Sequence, residues 1–157
     1  MPTDKPRLYE ELARQLAALI EGERDLVANS ANMAALIYHG LPELNWAGFY
    51  WMKGGELVLG PFQGKPACVR IALGKGVCGT AARERRAIVV PDVNQFPGHI
   101  ACDSASRSEV VVPVIHAGRV LGVLDLDSPR AGRFDDGDAR GLEALVQAFL
   151  EATDLGA

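Results

Sequence analysis

The chain has 157 residues, 48% of them hydrophobic, and carries 16 Lys and Arg against 20 Asp and Glu for a formal net charge of -4. A chain of this length suits one domain, residues 1–157, built on one substantial core. The acidic balance excludes a nucleic-acid binder held by phosphate attraction, and the short run Arg83-Glu84-Arg85-Arg86 reads as a solvated helix face.

The opening MPTDKPRLYEEL has no apolar stretch of the kind a signal peptide needs, and runs such as Val110 to Ile115 are far too short to span a bilayer. A cytoplasmic protein with no membrane role is the expectation. Leu8, Leu12, Leu16, Leu19 and Ile20 recur at helical spacing, which predicts a helix over about 6–21 ended by Gly22. A second helix carries Leu26, Met33, Leu36 and Ile37 and stops near Gly40. The period then changes. Trp46 to Met52 reads as a strand, Gly54-Gly55 as a turn and Glu56 to Leu59 as the hairpin partner.

Ala67 to Ala72 reads as a short strand. The glycine-rich turn Gly74-Lys75-Gly76-Val77-Cys78-Gly79-Thr80 leads into a helix through about Arg86, and Ala87 to Val90 is a strand stopped by Pro91. Residues 91–108 have no periodicity, and a stretch of that length inside a compact domain points to function or disorder. Glu109 to His116 and Arg119 to Leu126 form the clearest hairpin, joined by Ala117-Gly118. Asp135 or Asp136 caps a last helix that buries Leu142, Leu145, Val146, Phe149 and Leu150. Two helices, hairpin-connected strands and a closing helix make an α+β pattern with an antiparallel sheet.

Reactive chemistry is confined to sulfur. Cys68, Cys78 and Cys102 sit in a chain with no sign of secretion, where thiols serve catalysis, metal binding or redox sensing more often than structural disulfides. Cys78 precedes a helix and follows Lys75, both of which favour a thiolate. There is no Walker A ending, no Cys-x-x-Cys, no His-Glu-x-x-His and no Gly-x-Ser-x-Gly elbow. His99 and Cys102 have plausible ligand spacing, but the pair stands alone, so no metal site is expected and His99 reads as a loop residue shaping the site.

Strand alternation adds acids and aromatics. Asp125 and Asp127 share a face, about 7 Å apart along the strand, where they follow Leu121 and Val123, while Val120, Leu124 and Leu126 take the other face. A strand simply ending at Asp127, before Ser128-Pro129, is the plainer alternative. Trp46 and Tyr50 share a face with Gly48 between them, a gap that suits either a core or the walls of a small-ligand pocket.

Six runs in order resemble the GAF-domain free methionine-(R)-sulfoxide reductases. They are Asn45-Trp46-Ala47-Gly48-Phe49-Tyr50, Gly60-Pro61-Phe62-Gln63-Gly64-Lys65-Pro66-Ala67-Cys68, Gly76-Val77-Cys78-Gly79-Thr80, Gly98-His99-Ile100-Ala101-Cys102-Asp103-Ser104, Ser108-Glu109-Val110-Val111-Val112-Pro113 and Leu124-Asp125-Leu126-Asp127-Ser128. The resemblance implies a GAF fold, with a six-stranded antiparallel sheet and helices packed against it. It also implies that Cys102 is the nucleophile, with Cys78 and Cys68 as candidate resolving cysteines. Trp46 and Tyr50 would hold the methyl-sulfinyl end of the substrate, and Glu109, Asp125 and Asp127 its polar groups. The family's fold suggests a homodimer.

The implied reaction needs no bound cofactor. A Cys102 thiolate attacks the sulfoxide sulfur, an acid protonates the oxygen, methionine leaves, and the sulfenic acid condenses with a second thiol to a disulfide that thioredoxin reduces, with NADPH supplied through thioredoxin reductase. Three carboxyls close together cannot all stay ionised cheaply, so one should keep a proton. Glu109 is the candidate acid and Asp127 its rival. A non-catalytic GAF module sensing a small ligand or redox state is the competing expectation.

Overall fold

The computed structural model describes residues 4–99 and 104–156. Cys102, the expected nucleophile, lies outside them. Asp4 caps helix α1 (Lys5–Leu19), its carboxylate accepting from the Arg7 amide, and Asp25 caps α2 (Leu26–Gly40) through the Ala28 amide. Strand β1 (Trp46–Lys53) turns at Gly54-Gly55 into β2 (Glu56–Gly64), and β3 (Arg70–Ala72) follows. Helix α3 (Gly76–Glu84), β4 (Ile88–Val90) and a 3-10 turn at Val93–Gln95 lead to the hairpin of β5 (Ser108–His116) and β6 (Arg119–Ser128). Helix α4 (Asp136–Ala152) closes the order with a capping box between Asp135 and Asp138.

The strands form one six-stranded sheet in the order β3-β2-β1-β6-β5-β4, with every pairing antiparallel. Both tight hairpin turns place two residues at positive φ, Gly54 and Gly55 in one and Ala117 and Gly118 in the other. That is the turn whose twist matches the flanking strands.

Alternation along the strands divides the interior. One face buries Ala47, Phe49, Val110, Val112, Leu124 and Leu126 against α1, α2 and α4. Phe49, Trp51 and Phe149 stack there, with Phe49 4.9 Å from Trp51 and 5.6 Å from Phe149. The other face buries Trp46, Tyr50, Val111 and Val123 under α3, with Cys78 among them.

A buried ionic hub fastens the helical side. Asp138, in the first turn of α4, accepts from Lys5 Nζ at 2.7 Å and Tyr9 Oη at 2.8 Å, and Arg133 Nη1 lies at 3.6 Å. These contacts join the start of α1 to the start of α4.

Four local expectations differ from the structure. Strand β2 runs through Gly60-Pro61 instead of ending at Leu59, because an irregularity opposite Gly48 and Tyr50 absorbs the residues that would break a flat ladder. Regular pairing in the third strand is limited to Arg70–Ala72. Helix α3 stops at Glu84, before Arg86, because Arg85 turns left-handed at φ 60°. A β-bulge also exchanges two side chains on β6. Val114 pairs with Gly122 but Ile115 with Val120, so Leu121 is the extra residue. Leu121 therefore packs with Leu124 and Leu126, and Val120 joins the Val123 side.

The candidate site

Register across three strands builds the site. Asp127 pairs with Trp46 on β1 and with Glu109 on β5, so these three stand in one row. Asp125 stands in the next row, between Gly48 and Val111. Asp127 is still within the strand, which extends to Ser128, and its side chain is half-buried. The plainer reading of a strand ending there does not hold.

Gly48 is required by close approach. A Cβ at this position would lie 2.3 Å from Phe62 Cβ. Phe62 thereby fills the space beside the two β1 aromatics, stacking on Trp46 at 5.2 Å, while Trp46 and Tyr50 stack at 5.8 Å. The aromatic wall is thus a three-ring array rather than two rings flanking a gap. Its polar ends face one loop: Trp46 Nε1 donates to the Lys65 carbonyl at 3.1 Å, and Tyr50 Oη donates to the Cys68 carbonyl at 3.0 Å.

A pocket lies between this wall and α3. Trp46, Tyr50, Cys78, Glu109, Asp125 and Asp127 all line it, together with Pro66, Ala67, Ile71, Lys75, Val77, His99 and Ser106. It holds about 40 Å³ of free space, room for about three waters at roughly 10–15 Å³ each on the same measure. A larger apolar groove of about 510 Å³, lined by Leu26, Trp51 and Leu155 among others, has no thiol or carboxylate in its lining. The sequence reading missed Ser106, Ile71 and Val77. Ser106 accepts from Asn45 Nδ2 at 3.1 Å, which ties the irregular segment to the start of β1.

Two of the three acids are deeply buried. Glu109 is 7% exposed and Asp125 5%. Burial, then the neighbouring Asp125, pushes the Glu109 carboxyl well above its ordinary value. Burial, then Asp127, pushes Asp125 up to about 8. Asp125 lies against Glu109 and Cys78, and its Oδ1 has no hydrogen-bond partner. His99 Nε2 lies 3.9 Å from Glu109 Oε1, and burial lowers the imidazole's pKa, which favours its neutral form. Lys75 is the remaining basic residue in the lining.

Sulfur behaves unlike the local expectation. Cys78 sits in the first turn of α3 beside Lys75, but burial, then Asp125, Glu109 and Asp127, raises its thiol well above the ordinary value. Desolvation and three acids outweigh one helix terminus, so Cys78 remains a protonated thiol. Cys78 is free and buried, whereas Cys68 is disulfide-bonded.

A curled six-stranded antiparallel sheet with a pocket between one face and a short helix defines a GAF domain, and the GAF-domain family model matches residues 28–152. Within that class the likeness is specific. Free methionine-R-sulfoxide reductase of Escherichia coli (strain K12) is 50% identical over 154 residues, covering 96% of this chain and 93% of that one. The Saccharomyces cerevisiae protein of the same name is 45% identical over 152 residues, covering 92% and 84%. The structure of free methionine-R-sulfoxide reductase from Neisseria meningitidis in complex with its substrate superposes with a TM-score of 0.92 at 44% identity, covering 97% and 92%. The chain belongs to the GAF-domain free methionine-R-sulfoxide reductase family.

Proposed function

We propose that this protein reduces free L-methionine-(R)-sulfoxide to methionine, with residues 1–157 acting as one catalytic GAF domain. The observation that carries the reading is the convergence of an aromatic wall with three carboxyls in a single pocket. Its resemblance to a relative solved with substrate supports the same reading.

The substrate's thioether end rests against Trp46 and Tyr50, where apolar contact replaces water. Its ammonium pairs with Asp125 and Asp127. A charged amine beside Asp125 offsets the burial that holds this carboxyl protonated, so binding ionises Asp125. A methionine sulfoxide inside a polypeptide has no free ammonium to do this, which explains a preference for the free amino acid.

Cys102 is the nucleophile. Its thiolate attacks the sulfoxide sulfur, and Glu109, held protonated by burial, donates to the oxygen as charge develops there. Asp127 is the alternative donor. Methionine leaves, and the oxygen remains on Cys102 as a sulfenic acid. The thiol of Cys68 then attacks the sulfenic sulfur, forming a disulfide and releasing water. Cys68 is favoured over Cys78 as the resolving thiol because it is the disulfide-bonded cysteine of the pair, while Cys78 is free and protonated. An external dithiol such as thioredoxin, itself reduced at the expense of NADPH, returns both thiols by exchange.

A homodimer and a cytoplasmic site of action complete the proposal. Among the described residues no helix is long and apolar enough to cross a membrane, and a reducing compartment suits a dithiol cycle.

Turnover tests the reading. Free L-methionine-(R)-sulfoxide, thioredoxin, thioredoxin reductase and NADPH are supplied, and NADPH loss is followed. Loss with the R epimer, absent with the S epimer and with Cys102→Ser, supports the reductase. Folded, reduced protein that consumes no NADPH while still binding free methionine points instead to a ligand-sensing module.

A further inference from the structure

The pocket gathers a donor set that no linear motif announces. One sulfur of Cys78 and one carboxylate oxygen each from Glu109 and Asp125 lie within 4.8 Å of one another, and all three residues are buried. They come from α3, β5 and β6, so the spacing in sequence carries no metal signature. Independently, Asp125, which lines the pocket, has a buried Oδ1 with no hydrogen-bond partner. His99 stands beside the cluster but outside the group of three, its Nε2 3.9 Å from Glu109 Oε1.

We propose that Cys78, Glu109 and Asp125, with His99 beside them, form a reversible binding site for a thiophilic divalent cation of the zinc and cadmium class, and that the cation excludes the amino-acid substrate. Tetrahedral ligation at about 2.0–2.3 Å places donors about 3.5 Å apart, so the cluster must contract by about 1 Å, within the reach of side-chain rotation. The free space of about 40 Å³ is enough for an ion. A sulfur with two carboxylates favours zinc or cadmium over magnesium or calcium, which prefer oxygen alone.

Cation binding rests on pocket geometry, and its competition with the amino acid rests on the proposed substrate reading, so binding and displacement are scored separately: binding without displacement counts against the substrate reading, and absent binding against the cation site. The test uses the full chain with Cys68→Ser and Cys102→Ser, leaving Cys78 as the sole thiol, and cadmium chloride as the probe. The expected result is one cadmium per chain, an ultraviolet thiolate-to-cadmium absorption band, and displacement by free methionine sulfoxide. Asp125→Asn and Glu109→Gln should each weaken binding by about 10-fold or more. Calcium at equal concentration should neither bind nor compete. A missing band, or cadmium affinity that ignores both carboxyl variants while each remains folded, overturns the proposal. Cadmium binding that survives alongside failed turnover in the unmodified enzyme would count against the reductase reading only.

Discussion

Asp138 and Asp125 are buried acids on opposite faces of one sheet, at 1% and 5% exposure. Asp138 receives Lys5, Tyr9 and Arg133 from three directions and joins α1 to α4. Asp125 faces Glu109, Asp127 and Cys78, and one of its oxygens has no partner. A satisfied buried acid fastens a fold. An unsatisfied one is held at a cost and points to a ligand that supplies what the protein withholds. The helical face therefore carries stability, and the opposite face carries chemistry.

The contrast breaks first at Asp138. Asp138→Ala leaves Arg133, only 6% exposed, with its charge uncompensated. Removing one partner of a buried pair costs about 3–5 kcal/mol, so urea denaturation should show a loss of that size. The kcat/KM of the fraction that stays folded should not change. A loss under about 1 kcal/mol would mean the hub is no more than a surface ion pair. Asp125→Asn should do the reverse. Losing the ammonium partner costs about 2 kcal/mol or more, which raises KM at least about 30-fold, while stability at neutral pH holds or improves. An unchanged KM with collapsed Cys102 alkylation would assign Asp125 to the nucleophile instead.

The two faces also differ in the sign of their pH dependence. Asp125 is raised from 3.8 to about 8, so the folded state keeps a proton that the unfolded state loses. Its contribution is fully present below the ordinary carboxyl value and is lost as pH rises through about 8. Stability should fall over that window by up to about 1.4 kcal/mol per pH unit, and Asp125→Asn should flatten the slope. On the helical face Lys5 holds Asp135 below its ordinary value, so that contribution is present at neutral pH and lost on acidification. Denaturation midpoints at about pH 5 and about pH 8, for both proteins, check the first slope.

Period-two alternation is enough to put Asp125 with Asp127, and Trp46 with Tyr50, because each pair lies on a single strand. The meeting of Glu109 with Asp127 is not legible from the Ala117-Gly118 turn: the register that pairs His116 with Arg119 would put Glu109 opposite Leu126, and the bulge at Leu121 moves it to Asp127. What the sequence hides is action from elsewhere in the fold. Phe62 fills the Gly48 gap only because β2 continues past Pro61. Leu121 changes face only because a bulge interrupts the alternation. The Cys78 environment is misjudged for the same reason. Local reading weighs a helix terminus and Lys75, but the dominant effects are burial and acids delivered by β5 and β6.

The smallest expected effect separates the two candidate resolving cysteines. Tyr50 Oη donates to the carbonyl of Cys68, so the aromatic wall also steadies the loop that presents this thiol. Tyr50→Phe keeps the ring against the substrate but removes that hydrogen bond, a change of about 1 kcal/mol. If Cys68 resolves the sulfenic acid, disulfide closure after a single turnover should slow by about 5-fold, more than methionine release slows, because only closure needs Cys68 delivered in register. Rapid acid quench with thiol counting follows closure, and chromatography of the same samples follows methionine. If Cys78 resolves instead, its place in the first turn of α3 is independent of this hydrogen bond, and closure should keep its rate relative to release.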